Sequence, residues 1–84
     1  MNVRLTFQQK DVLLEVKKHF GWSKNLEFKM QPTCVVLKSL DEDDAINLRE
    51  LCSDYLLEVG FDEQYSANEK GKLLEELIDK LFVE

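Results

Sequence analysis

The chain holds one imidazole, His19, so any Ser–His or Cys–His dyad would have to be built on it. His19 directly follows Lys17 and Lys18 at the end of a helical pattern, where a cation complements the helix dipole. That capping or surface role is favoured over general-base catalysis. Cys34 and Cys52 stand eighteen residues apart in apolar surroundings and match neither a Cys-x-x-Cys redox pair nor zinc-ligand spacing. Two buried, reduced thiols are favoured over a disulfide, because small secreted scaffolds usually carry four or more cysteines, and the cytoplasm is then the expected compartment. Asp41, Glu42, Asp43 and Asp44 could face a hard cation, but they lack the alternating ligands and central glycine of an EF-hand, and a solvated helix start is the simpler reading. Gly21, Gly60 and Gly71 are dispersed, which leaves no phosphate-cradling loop. No catalytic, metal or cofactor site is expected, and the reading is of a protein that is not an enzyme and carries no cofactor.

The elements that would position these residues are legible from periodicity. Asn2 to Leu5 could form a short strand, and Thr6-Phe7-Gln8-Gln9 has the form of a capping box opening a helix from about Phe7 to His19. Val12, Leu13, Val16 and Phe20 share one arc of that helix, with Gly21 as its stop and Trp22 beginning a connector. Leu26, Phe28 and Met30 alternate as in a half-buried strand, and Cys34 to Leu37 form a continuous run suited to a more buried one. Pro32 between them marks a turn, although it could also open a helix. A longer helix spans Asp41 to Val59, capped by Ser39 with Glu42 or by Asp41 with Asp44, along the stripe Ala45, Leu48, Cys52, Tyr55 and Val59. Gly60 is expected in the left-handed position with Phe61 packing back on Leu56. A last helix opens on Ser66 with Glu69 and runs to about Phe82, with Ala67, Leu74, Leu77, Ile78, Leu81 and Phe82 as its apolar face and Glu76–Lys80 as a supporting pair. Gly71 lies inside that apolar face, where glycine costs about 1 kcal/mol against alanine, and close approach of a neighbouring helix is the expected compensation. The fold class is α+β: one small domain, residues 1–84, of about three helices packed on a small antiparallel sheet of two to three strands.

Composition agrees with a folded chain of 84 residues, 44 % apolar and 33 % charged, near the size where one core is only just sufficient. Arg4, Lys10 and Asp11 interrupt the first fifteen residues, so no secretory leader is expected, and apolar runs of three or four residues fall far short of the ~20 that cross a bilayer. The net charge of −6 disfavours nucleic acid and anionic membrane as partners. It divides unevenly. Seven cations and three anions give residues 1–38 a net +4, and four cations and fourteen anions give residues 39–84 a net −10.

Residues outside the core stripes suggest partners instead. Ile46 and Leu57, eleven apart, point the same way well off the main stripe of their helix, and Phe7 and Leu14 are the analogous pair in the first helix. Against a three-layer core that buries both sides, these pairs argue for association with a second protein molecule, and a homodimer is the leading expectation. Trp22 is a further interface candidate beside the alternative of a core- or edge-packed ring. Asp41, Glu42, Asp43, Asp44, Glu50 and Asp54 form a candidate acidic face that would suit an inhibitor or immunity-type protein acting on a basic effector. Single-stranded nucleic-acid binding through Lys17, Lys18, Lys24, Lys29 and Trp22 is the third reading.

Leu48-Arg49-Glu50-Leu51-Cys52-Ser53-Asp54-Tyr55-Leu56-Leu57-Glu58-Val59-Gly60-Phe61-Asp62-Glu63, followed by Gly71-Lys72-Leu73-Leu74-Glu75-Glu76-Leu77-Ile78-Asp79-Lys80-Leu81, resembles the C-terminal half of short uncharacterised bacterial proteins. The resemblance implies a bacterial helical hairpin; it brings no activity and no site residues.

Overall fold

A computed structural model describes residues 2–22, 24–61 and 68–82. Three strands and three helices follow in the order β1 (Val3–Leu5), α1 (Phe7–His19), β2 (Glu27–Met30), β3 (Val35–Lys38), α2 (Glu42–Val59) and α3 (Glu69–Lys80). β3 is central in the sheet order β1-β3-β2, with both neighbours antiparallel to it. The register sets Val3 beside Leu37 and Leu5 beside Val35, so the four buried side chains share one sheet face and join the helices in the core. The small α+β architecture is the one the periodicities imply.

α1 begins where its capping box does. Thr6 Oγ1 accepts from the Gln9 N–H at 3.0 Å, and Gln9 Oε1 accepts from the Thr6 N–H at 2.9 Å. Gly21 ends the turn at φ +65°, a conformation that strains any residue with a Cβ. Gln9 is almost fully buried, and its amide is satisfied across the core: Nε2 donates to Glu76 Oε2 at 2.6 Å, and Oε1 accepts from Lys80 Nζ at 2.7 Å. Glu76 and Lys80 therefore meet through Gln9; the direct pair expected between them does not form among the described contacts.

Several local expectations are corrected. Asp41 is the N-cap of α2 in extended conformation, but its side chain makes no capping hydrogen bond. Ser39 lies at φ +58° and donates its N–H to Asn2 Oδ1, so it is not the cap either. Met30, expected on the half-buried face of its strand, is 57 % exposed on β2, an edge strand of the sheet. α3 ends at Lys80, and Phe82 is exposed under the Arg49 guanidinium, 4.8 Å from its ring centre. Ser66 and Ala67 lie outside the described residues; Asn68 caps α3, its Oδ1 accepting from the Gly71 N–H at 2.7 Å.

Gly60 is right-handed at φ −84°, so the left-handed ending expected there is absent, and Phe61 is exposed. Glycine is required at this position for room. A Cβ on Gly71 would strike the Gly60 carbonyl, and a Cβ on Gly60 would meet the Leu56 side chain and carbonyl and lie 3.2 Å from Gly71 Cα. The close approach expected at Gly71 is thus backbone against backbone. Asn68 completes it: its N–H donates to the Gly60 carbonyl at 2.9 Å and its Nδ2 to the Val59 carbonyl at 2.7 Å, satisfying carbonyls left open at the end of α2.

These contacts set helix directions. Gly60 meets Gly71 at one end and Arg49 meets Phe82 at the other, so α2 and α3 are antiparallel. Glu15 meets Lys70 and Gln9 meets Lys80, so α1 and α3 are antiparallel as well. α1 and α2 therefore run in the same sense. Leu13, Val16, Leu48, Leu74, Leu77 and Leu81 are completely buried between the three, each worth about 1.5–3 kcal/mol in apolar transfer.

Gly71→Ala separates the two roles of glycine. At an open helix position the change would stabilise by about 1 kcal/mol. Here the alanine methyl meets a carbonyl, and urea unfolding is expected to show a loss of about 1–3 kcal/mol with the denaturant slope unchanged.

Candidate interaction surface

Titratable side chains from all three helices come together where α1, α2 and α3 meet. The Tyr55 hydroxyl donates to Glu15 Oε2 at 2.8 Å, and Lys70 Nζ approaches the same oxygen at 2.8 Å. His19 Nε2 lies 2.9 Å from Glu58 Oε2, and the His19 ring rests on Tyr55 and edge-on to Phe20 at 4.8 Å between centres. The Lys70 ammonium holds the Glu15 carboxyl below its ordinary value, with the Tyr55 hydroxyl helping. Burial and the neighbouring Glu15 carboxylate push the Tyr55 phenol upward. A carboxylate held ionised and a phenol held protonated are the states that keep the three helices joined, and neither is a poised acid or base.

The remaining reactive groups are equally quiet. Burial pushes the Cys52 thiol up to about 12, so it stays protonated at neutral pH and is no nucleophile. Cys34 is half-buried and donates its S–H to Gln31 Oε1 at 3.1 Å; both cysteines are free. Among the described residues no group of three or more His, Cys, Asp or Glu side chains is placed to hold a metal, and no ligand-sized cavity opens. Among them, too, no helix is long and apolar enough to cross a membrane.

The apolar residues set outside the core stripes face outward. On α1, Phe7 is 41 % and Leu14 40 % exposed; on α2, Ile46 is 44 % and Leu57 76 % exposed. α1 buries Val12, Leu13 and Val16 on its opposite side, and α2 buries Ala45, Leu48, Cys52 and Tyr55. The helix period therefore projects the two exposed pairs away from the core. Neither pair is covered by a second core layer. Trp22 differs: it is half-buried, packs against the core and donates its backbone N–H to the Lys17 carbonyl at 3.0 Å.

Five of the six acidic-face candidates, Asp41, Glu42, Asp43, Glu50 and Asp54, are exposed. Asp44 is withdrawn from that face by Lys24, whose Nζ lies 2.8 Å from its Oδ1. This pair joins the cationic and anionic halves of the chain, as Glu15–Lys70 and His19–Glu58 also do. The cations of the first half are dispersed. Lys17 and Lys18 sit on α1, Lys24 is held by Asp44, and Lys29 shares the outer sheet face with Arg4 and Val36. Sequence reasoning missed Asn68, although asparagine ranks among the strongest N-caps and stands three residues before Gly71. It also missed Gln9 as a link to α3, because contacts between distant elements leave no mark in local spacing.

In comparison with known proteins, the chain matches no family model, no curated sequence and no solved structure.

Two measurements test the chemistry of this region. Because the carboxyl of Glu15 is held below its ordinary value, its stabilisation is full above pH 4.5 and is lost as pH falls through the folded-state value. Glu15→Gln is therefore expected to lower the urea midpoint near neutral pH, and the gap to wild type should close in acid; a gap independent of pH contradicts the assignment. With a thiol-specific chromogenic reagent, Cys34 alone should react in the native protein and both cysteines after denaturation, which a rapidly modified native Cys52 would contradict.

Proposed function

We propose that this domain acts by protein–protein contact, with a second copy of the same chain as its partner, and that it is not an enzyme. The observation that carries the reading is the outward projection of Ile46 and Leu57 from α2 and of Phe7 and Leu14 from α1. Leu57 in particular leaves 76 % of its area open on a well-anchored helix, where covering it would gain free energy without disturbing the core. Trp22 contributes only its exposed part, since the ring already packs inward. The quiet titratable groups support a role in binding rather than catalysis. This reading places the protein in the cytoplasm, where its two free thiols stay reduced.

The exposed carboxylates along α2 favour a second reading, an inhibitor or immunity-type protein that presents this face to a basic effector. Nucleic-acid binding has less support, because Lys24 is engaged by Asp44 and the remaining cations lie on two different elements.

Sedimentation velocity across the micromolar range tests the self-association. A concentration-dependent dimer is expected, and Leu57→Asp or Ile46→Asp should return it to monomer while circular dichroism shows the helices intact. A wild-type chain that stays monomeric throughout contradicts the proposal.

A further inference from the structure

The two outward stripes differ in charge, and the difference names their occupants. Phe7 and Leu14 on α1 are accompanied by the exposed Lys18 and the half-buried Lys17 and Lys10, against Asp11, which lies 3.6 Å from Lys10, and Glu15, which Lys70 engages. Ile46 and Leu57 on α2 lie among the exposed Glu42, Asp43, Glu50 and Asp54, and the one cation of that helix, Arg49, is half-buried with its guanidinium over the Phe82 ring. Among the described residues no ion pair engages Lys17, Lys18, Glu42 or Asp43 within the chain. Each stripe thus has an apolar centre and unspent charge, opposite in sign to that of the other.

We infer that α1 of one copy packs antiparallel on α2 of a second copy, with Leu14 seated beside Ile46. This rests on the self-association proposed above and specifies its geometry. At 1.5 Å per residue on both helices, an antiparallel pairing that sets Leu14 opposite Ile46 brings Lys17 opposite Asp43 and Lys18 opposite Glu42. The same register sets Lys10 opposite Glu50. Phe7, seven residues before Leu14, then falls over the hole bounded by Glu50 and Leu57, one heptad beyond the hole that Leu14 fills. A parallel pairing centred on the same two leucine and isoleucine side chains would turn Lys17 and Lys18 away from the Glu42–Asp43 end.

Helix direction makes the contact reciprocal. α1 and α2 run in the same sense within one chain, so a twofold axis perpendicular to them sets α1 antiparallel to the second copy's α2 and repeats the contact in reverse. Charge on this surface governs encounter and register, and the apolar centre supplies the retention. An alternative meeting of α2 with α2 would oppose two anionic stripes, and α1 with α1 would oppose two cationic ones.

Reciprocal charge reversal tests the pairing. Lys17→Glu with Lys18→Glu gives a chain with two acidic stripes, and Glu42→Lys with Asp43→Lys removes the carboxylates that face them. By sedimentation velocity each variant alone is expected to self-associate at least about tenfold more weakly than wild type, and an equimolar mixture of the two to recover a dimer. Circular dichroism checks that each variant is folded. The wild-type chain supplies a readout independent of any variant, because its dissociation constant should rise by about tenfold from low to high salt. If the wild type dimerises but the folded variants dimerise equally well alone, or the mixture stays monomeric, or salt has no effect, the antiparallel α1–α2 pairing is wrong and self-association stands. If the wild type never dimerises, both fall.

Discussion

The contact of Gly60 with Gly71 is the constraint from which the helical arrangement follows. Two backbones meet where any side chain would collide, and Asn68 holds them there by capping α3 while donating to the carbonyls that end α2. Closing the hairpin at this point aligns the stripe of α2 with Leu74 and Leu77 of α3 and with its C-cap Leu81, three completely buried leucines. α1 then lies against both, held at one end by Glu15 with Lys70 and Tyr55, and at the other by Gln9 with Glu76 and Lys80. Because the inward faces are committed by these contacts, the outward direction of every remaining side chain is also decided.

Elements with strong local signals were legible from the chain itself. The capping box at Thr6 and Gln9, the stripe of α2 and the three strands all stand where spacing places them. Two of the misreadings share one cause. Gly60 looks like a left-handed helix end because a glycine before an aromatic usually is one, yet here a residue eleven positions later demands the space. The Glu76–Lys80 pair looks local, and a buried glutamine from the opposite end of the chain stands between its members. Long-range packing overrides a local pattern wherever two elements approach closely, and a single sequence does not record which elements those are. For the candidate surface, helical periodicity was sufficient to set Phe7, Leu14, Ile46 and Leu57 off the core; it was insufficient for Trp22, which lies in a connector with no period.

The division of charge along the chain takes on a different meaning once folded. Lys24 with Asp44 and Glu15 with Lys70 each spend one charge from either half on holding elements together, and His19 adds a contact with Glu58. Exposed pairs of this kind contribute little individually, but they determine which charges remain for other use. Those left on α1 are chiefly cationic and those left on α2 chiefly anionic, each set beside an apolar pair. The proposed self-association follows from that residue of uncommitted groups.

Amide chemical shifts followed on dilution of the isotopically labelled wild-type chain address this account most directly, because they report every backbone position in one experiment. Changes confined to Phe7 through Lys18 on α1 and Glu42 through Leu57 on α2 are the predicted result. Shifts that stay constant with concentration, or that move only on the sheet around Arg4, Lys29 and Met30, would contradict it.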